Sequence, residues 1–268
     1  MMSAEAGRSR VLSENSPVAI VTGGSGGIGR ATCQQLAEAG YRVAAVSRGG
    51  DALAKTVAAL PGGSECHIGV AVDVGNARSV ERMVQAVMQR WGRIDALVVG
   101  AGIGSVDPNR RVPVPFQQLS LQEWEQVMAT NLDGAFNCCR SVLPGFLGVD
   151  AGCIVLVGSA LTPDGQRGRP FAPAYSASKF ALTGLAQALA VELAATGVRI
   201  HLVQPGTVET PLLANTALAR DFGGMMSARH VGQFIRDLLD AESNPDWDSA
   251  HLMPFFPRPG VPGAPGRR

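Results

Sequence analysis

The chain has 268 residues, with 23 basic and 22 acidic side chains and a formal net charge of +1. So even a balance excludes the clustered Lys and Arg excess of a nucleic-acid surface, and no nucleic-acid partner is expected. Apolar residues at 46% against 17% charged exclude a disordered chain, and no apolar run reaches the roughly 18 residues of a membrane span, so no membrane partner is expected either.

In chain order, residues 1–16 are polar and unpatterned and read as a flexible leader. PVAIVT (17–22) is an apolar, β-branched strand, followed by the glycine-dense GGSGGIG (23–29). Ile28, Ala31, Leu36 and Ala39 then recur at helical spacing until Gly40. RVAAVS (42–47) is a second strand, and a helix near 50–60 stops at Pro61-Gly62. HIGVAV (67–72) is a third strand, a helix near 76–91 stops at Gly92, and DALVVGAG (95–102) is a fourth strand with its loop.

Residues 103–119 hold three prolines with Arg110 and Arg111 and read as a loop. Ser120 and Glu123 fit a capping box opening a long helix, about 121–144. CIVLVG (153–158) is a fifth strand, a helix runs over 173–196, and VRIHLV (198–203) is a sixth strand. Ser227 caps a helix to about 240, SAHLMPFF (249–256) supplies a last strand, and the Pro/Gly-rich 257–268 is a flexible tail.

Strands alternating with helices predict an α/β fold. The expectation is a single Rossmann-like domain over 17–256, a doubly wound parallel sheet of about seven strands with helices on both faces. Cys33, Cys66, Cys138, Cys139 and Cys153 are odd in number, form no CxxC and sit mostly in apolar stretches, so they read as reduced thiols in a cytoplasmic protein. The scattered histidines His67, His201, His230 and His251 give no metal-ligand spacing, and no metal site is expected.

Chemistry concentrates in two places. In the loop after the first strand, Gly23 allows the tight turn, Gly27 lets a pyrophosphate approach the backbone, and Gly29 lets the helix pack closely. The open amides at the helix start attract an anion. The second place is Tyr175-Ser-Ala-Ser-Lys179, in a chain with only two tyrosines (Tyr41, Tyr175) and two lysines (Lys55, Lys179). At i and i+4 the two side chains share a helix face, and an adjacent ammonium lowers a phenol pKa toward neutrality, giving a usable proton donor and acceptor. Ser159 stands at the carboxyl end of the fifth strand, where ligands bind in doubly wound folds. Asn131 is an amide inside an apolar helix that needs a partner.

The Gly-x-x-x-Gly-x-Gly spacing and the set Asn131, Ser159, Tyr175 and Lys179 together resemble the short-chain dehydrogenase/reductase family, over about residues 17–256. The resemblance implies a reversible carbonyl/alcohol oxidoreductase using NAD(P)(H). Ser159 hydrogen-bonds the substrate carbonyl and Tyr175 donates the proton. Lys179 lowers the Tyr175 pKa and holds the nicotinamide ribose, and Asn131 anchors a relay water. It further implies cofactor contacts from Gly23, Ser25, Gly27, Ile28 and Gly29, from Asp73 and Val74 at the adenine, from Gly100 after the fourth strand, and from Val208 and Thr210 beside the nicotinamide. It also implies a homodimer or homotetramer built on the helices near 121–144 and 173–196.

Three departures stand out. The family's Asn-Asn-Ala-Gly is Val99-Gly100-Ala101-Gly102 here; the Ser159–Tyr175 interval is lengthened by LTPDGQRGRPFAP; and the family's glycine-rich C-terminal ending is missing. At the end of the second strand Ser47 and Arg48 replace the acid that accepts ribose hydroxyls in NAD-preferring folds. A serine leaves room for a 2′-phosphate and an arginine fork binds it, so NADP(H) is expected to be preferred over NAD(H).

The largely apolar stretch from Pro211 to Met226 either lines a pocket for a hydrophobic ketone or packs its own apolar side on the domain. The alternative function, a non-catalytic dinucleotide-binding sensor, would be expected to lack Tyr175 or Lys179.

Overall fold

The computed structural model describes residues 12–104, 115–162, 165–166, 168–212 and 225–240. Outside these fall the first eleven leader residues, Arg110 and Arg111, most of the stretch between Pro211 and Met226, the strand expected at 249–256 and the tail.

Six strands form the central sheet: β1 (Val18–Thr22), β2 (Arg42–Ser47), β3 (Ile68–Ala71), β4 (Ala96–Val99), β5 (Gly152–Val157) and β8 (Val198–Val203). Their order is β3-β2-β1-β4-β5-β8, and every pairing in it is parallel. The described sheet thus has six strands where about seven were expected, the missing one falling on residues outside the description. The apolar runs have their cause in burial on both faces: every residue of β1 and β4 is buried.

Helices α1 (Gly27–Glu38), α2 (Asp51–Ala59) and α8 (Ala228–Asp240) cover one face. They set Leu36, Val57 and Ile235 against Val21, Val43 and Val155 of the sheet. Helices α4 (Ala77–Trp91), α6 (Gly134–Val149) and α7 (Pro173–Glu192) cover the other. There Met83, Phe146 and Leu182 meet Ile20, Leu97 and Leu156. A one-turn helix α3 (Gly63–Cys66) follows α2, which stops because Leu60, ahead of Pro61, is extended.

The helix signals at Gly92 and Ser120 act as expected. Asn76 Oδ1 accepts from Ser79 N at 3.1 Å to open α4, and Gly92 at φ 73° closes it. Ser120 Oγ accepts from Glu123 N at 3.1 Å to open α5 (Leu121–Met128).

Elsewhere the structure corrects the sequence reading. The long helix after Ser120 is interrupted by a π turn over Ala129–Asp133 before α6 resumes. Helix α7 ends at Glu192 rather than near 196, where the Thr196 hydroxyl donates to Leu193 O at 2.8 Å and turns the chain. Two short pairings carry no periodic signal: antiparallel β6 (Leu161–Thr162) with β7 (Gly165–Gln166), and parallel β9 (Val208–Glu209) with β10 (Met226–Ser227).

His201 in β8 is 1% exposed, and neither ring nitrogen has a hydrogen-bond partner. Burial, with the Arg199 charge adding to it, lowers its pKa from 6.5 to about 4. The unfolded chain therefore takes up a proton below pH 6.5 that the folded protein refuses until about 4. Stability is full above that window and falls through it by up to about 3 kcal/mol. Urea unfolding of His201→Leu across this range should show a flatter pH dependence, with a residual slope from His67, whose pKa burial also lowers. An unchanged slope would remove His201 as the cause.

Candidate active site

The site lies at the carboxyl edge of β1 and β4, where the strand order reverses. The loop after β1 and the loop after β4 touch through their backbones. A Cβ on Gly23 would lie 2.7 Å from the Gly100 carbonyl oxygen, and one on Gly29 would lie 2.3 Å from that of Gly23. Gly23 also holds φ +74° and Gly27 φ +48°, a region L side chains rarely adopt. Thr22 locks the two loops together, since its Oγ1 accepts from Gly100 N and Ala101 N, both at 3.1 Å, and donates to Val98 O at 3.4 Å.

Helix α1 starts behind Gly26 with no side-chain cap, and a Cβ at Gly26 would meet nothing within 4 Å. Open first-turn amides beside an uncrowded glycine loop fit a dinucleotide pyrophosphate. Ser25 and Ile28, half-buried in this stretch, flank the same opening.

Asn131 sits in the π turn and is 1% exposed. Its Oδ1 accepts from Ile103 N at 2.8 Å, and its Nδ2 donates to Ile103 O at 2.9 Å and to Ser178 Oγ at 3.0 Å. Ser178 Oγ in turn donates to Tyr175 O at 2.9 Å. One amide therefore ties the loop after β4 to the first turns of α7. The partner the sequence demanded exists: both Nδ2 hydrogens and the Oδ1 are engaged with protein, so the side chain ties these segments together.

Tyr175, Ser159 and Lys179 come together as the spacing predicted. Lys179, 5% exposed, donates from Nζ to Val157 O at 2.8 Å, at the end of β5. Its Nζ lies 5.8 Å from the centroid of the Tyr175 ring. Burial lowers the Lys179 pKa from 10.5 to about 8. Burial pushes the Tyr175 phenol above its ordinary value, while its hydrogen bond with the Ser159 hydroxyl pulls the other way. In this arrangement loss of solvation dominates at the phenol, and the Lys179 ammonium lies over the ring.

The remaining predicted residues surround this centre. Ser47 Oγ accepts from Gly49 N at 3.3 Å, and Arg48 is exposed beyond it. Asp73 Oδ1 accepts from Gly75 N at 3.0 Å, while Val74 is buried with its carbonyl accepting from Asn137 Nδ2 at 3.0 Å. Val208 is buried, and the Thr210 methyl would lie 3.0 Å from a Cβ on Gly27, so the loop after β8 closes onto the glycine loop. Sequence reasoning missed Thr22, Ser178 and Arg169. Small hydroxyls at a strand end and in a helix carry no pattern that marks them, and one arginine among many does not either. Among the described residues no cluster of His, Cys, Asp and Glu suits a metal ion, and no helix is long and apolar enough to cross a membrane.

The chain is similar to known proteins. A D-threitol dehydrogenase of Mycolicibacterium smegmatis is 36% identical over 195 residues, 73% of this chain and 71% of that protein. A 3-oxoacyl-acyl-carrier-protein reductase of Thermotoga maritima is 32% identical over 238 residues, 85% and 92% of the two chains. The crystal structure of an actinorhodin polyketide ketoreductase variant with NADPH superposes with a TM-score of 0.74 at 30% identity, covering 85% of this chain and 92% of that one. A 3-ketoacyl-(acyl-carrier-protein) reductase from Brucella melitensis, complexed with NADH, shares the fold with a TM-score of 0.76 at 24% identity, over 90% and 95%. The short chain dehydrogenase family model matches residues 17–221, and with these relatives it shows that the chain belongs to the short-chain dehydrogenase/reductase family.

Proposed function

We propose that Ser159, Tyr175, Lys179 and Asn131 form the acid–base site of an oxidoreductase that uses a nicotinamide dinucleotide to interconvert a ketone, or a 3-oxoacyl group, and a secondary alcohol. The hydrogen bond between Ser159 and Tyr175, beside a buried Lys179, carries the reading, because it sets two hydroxyls together next to a cation. A bound NAD(P)H supplies the hydride equivalent at the carbonyl carbon. Ser159 donates a hydrogen bond to the carbonyl oxygen, and Tyr175 delivers its proton to that oxygen as the alcohol forms.

Burial keeps Tyr175 protonated, the state that reduction requires. Lys179 steadies the phenolate left behind, and Asn131 fixes the turn of α7 that carries Tyr175. The sensor alternative has no support: Tyr175 and Lys179 are both present and assembled.

The relatives' names, a 3-oxoacyl reductase and a polyketide ketoreductase among them, support a hydrophobic carbonyl substrate. So do the exposed Leu212 and Met225, which flank the undescribed 213–224. The buried free thiols Cys33, Cys138, Cys139 and Cys153 support a reducing, cytoplasmic setting. Residues 17–256 act as one domain in this reading.

Tyr175→Phe should lower kcat by about 100-fold or more with NADPH affinity unchanged, since only the proton donor is removed. Lys179→Arg should fail as well, because a guanidinium does not fit where Nζ approaches Val157 O and already lies 3.5 Å from where a Cβ on Gly102 would stand. Near-normal kcat in either variant, read from cofactor absorbance, would cancel that residue's role.

NADP(H) is favoured over NAD(H) because Ser47 leaves the end of β2 uncharged and Arg48 stands exposed next to it. Ser47→Asp with Arg48→Ala should raise the KM for NADPH at least about tenfold, worth about 1.4 kcal/mol, and improve NADH relative to it. A wild-type kcat/KM higher with NADH would reverse the preference.

A homodimer or homotetramer would cover the apolar side chains left exposed on the two long helical stretches. These are Leu121, Phe136 and Val149 on one, and Phe180 and Val191 on the other. Light scattering at micromolar concentration should report a dimer or tetramer, and a clean monomer would overturn this assembly.

A further inference from the structure

Leu161 and Phe171 are held at positive φ, 62° and 61°, and both lie in the lengthened segment between Ser159 and Tyr175. An L residue stays in that region only where its surroundings over-determine it, and such outliers cluster at functional sites. At Leu161 the restraints are explicit. Its amide donates to Ser159 Oγ at 3.2 Å, and its carbonyl accepts from Arg169 Nη1 at 2.9 Å. Leu161 is 3% exposed, so this carbonyl is removed from water.

Arg169 also reaches the other catalytic element. Its amide donates to Ser176 Oγ at 3.1 Å, one residue beyond Tyr175, and its carbonyl accepts from Ala172 N at 3.3 Å, just ahead of α7. At the near end Ala160 N donates to Pro205 O at 2.9 Å, which pins the exit of β5 to the loop after β8.

We propose that Arg169 is a positioning residue for this active site: it closes the Ser159–Tyr175 segment on itself, so that the end of β5 and the first turn of α7 hold the two hydroxyls in register. The inference rests on the acid–base reading of Ser159 and Tyr175. A long segment between two groups that must meet would otherwise let them drift, and displacement of about 1 Å in a reacting geometry costs up to about 100-fold in rate. Arginine suits the task because its rigid fork can reach a carbonyl while its own backbone is bound elsewhere.

The test compares Arg169→Ala, Arg169→Lys and Tyr175→Phe with wild type. Cyclohexanone and acetoacetyl-coenzyme A serve as carbonyl probes, NADPH fluorescence reads cofactor binding, and NMR of carbon-labelled tyrosine gives a readout independent of turnover. Only Tyr41 and Tyr175 contribute signals. Burial and the neighbouring Asp240 push Tyr41 well up, and Tyr175→Phe, which leaves Tyr41 alone, assigns the two signals.

Arg169→Ala should lower kcat at least tenfold with NADPH affinity within twofold. It should also move the Tyr175 titration upward, because the Ser159 hydrogen bond that pulls it down loosens. Arg169→Lys, which still offers a donor to the Leu161 carbonyl, should restore both. Wild-type kcat and Tyr175 titration in Arg169→Ala overturn the proposal. A fall in kcat with the titration unmoved, or loss of the folded state in both variants by thermal melting, assigns Arg169 to general stability and overturns it too. If neither probe is turned over, the tyrosine titration decides alone. Turnover retained by Tyr175→Phe overturns the acid–base reading beneath it, whereas Tyr175→Phe inactive with Arg169→Ala unaffected overturns the positioning role only.

Discussion

Two chain segments approach at the carboxyl edge of β1 and β4 more closely than any side chain permits, and the site depends on that contact. Gly29 packs on the Gly23 carbonyl and Gly23 on the Gly100 carbonyl, at separations where an added Cβ would collide. The approach sets the angle at which α1 leaves the sheet and points its uncapped amides into the crevice. It also fixes the start of the loop that runs through Gly102 to Ile103. Because Asn131 grips Ile103 by both amide and carbonyl, and grips Ser178 as well, the placement passes from the glycine loop to α7 without a break. Tyr175 is thus positioned by hydrogen bonds that begin on the far side of the crevice.

Burial then determines the protonation states. Lys179 loses its hydration and Tyr175 cannot easily ionise, so the pair favours neutral phenol. The Val157 carbonyl takes a hydrogen bond from Lys179 Nζ and leaves the ammonium against the ring face. A group that needs its partner's charge only while a phenolate exists fits a site in which charge develops during the reaction and not before it. The Ser159 hydroxyl favours phenolate in the resting arrangement, which makes its geometry relative to Tyr175 the sensitive variable.

The parts of this architecture that obey a period were legible in the sequence. Continuous apolar runs marked the six strands because a doubly covered parallel sheet buries both faces, and VRIHLV was assigned to its observed ends at Val198 and Val203. Ser120 and Gly92 marked helix ends because orphan amides and carbonyls need particular partners. The glycine loop and the Tyr175–Lys179 spacing were legible because few other chemistries use them.

What escaped was set by contacts distant in sequence. The π turn at Ala129–Asp133 inserts an extra residue that no apolar spacing announces, and it exists where Asn131 must face Ile103 and Ser178. The upward shift of Tyr175 comes from burial, which i,i+4 spacing does not state. The two-residue pairings β6–β7 and β9–β10 are too short to show alternation.

Two of the departures from the family pattern are instructive because each is met by a side chain of this protein. With Val99-Gly100 in place of an asparagine pair, the loop after β4 has lost a side-chain amide, and Thr22 supplies the acceptor for two successive backbone amides instead. Gly100 then has to remain small, since a Cβ there would lie 2.8 Å from the Thr22 carbonyl oxygen. The lengthened segment after Ser159 poses the opposite problem, an excess of chain between two groups that must stay together. Ordering extra residues costs conformational entropy, and loops tolerate the cost when their ends are held. Here the ends are held by Ser159 on the Leu161 amide and by Ser176 on the Arg169 amide, with the Arg169 side chain closing the loop between them. Restraint at both ends keeps Ser159 and Tyr175 in register without a tether along the whole interval.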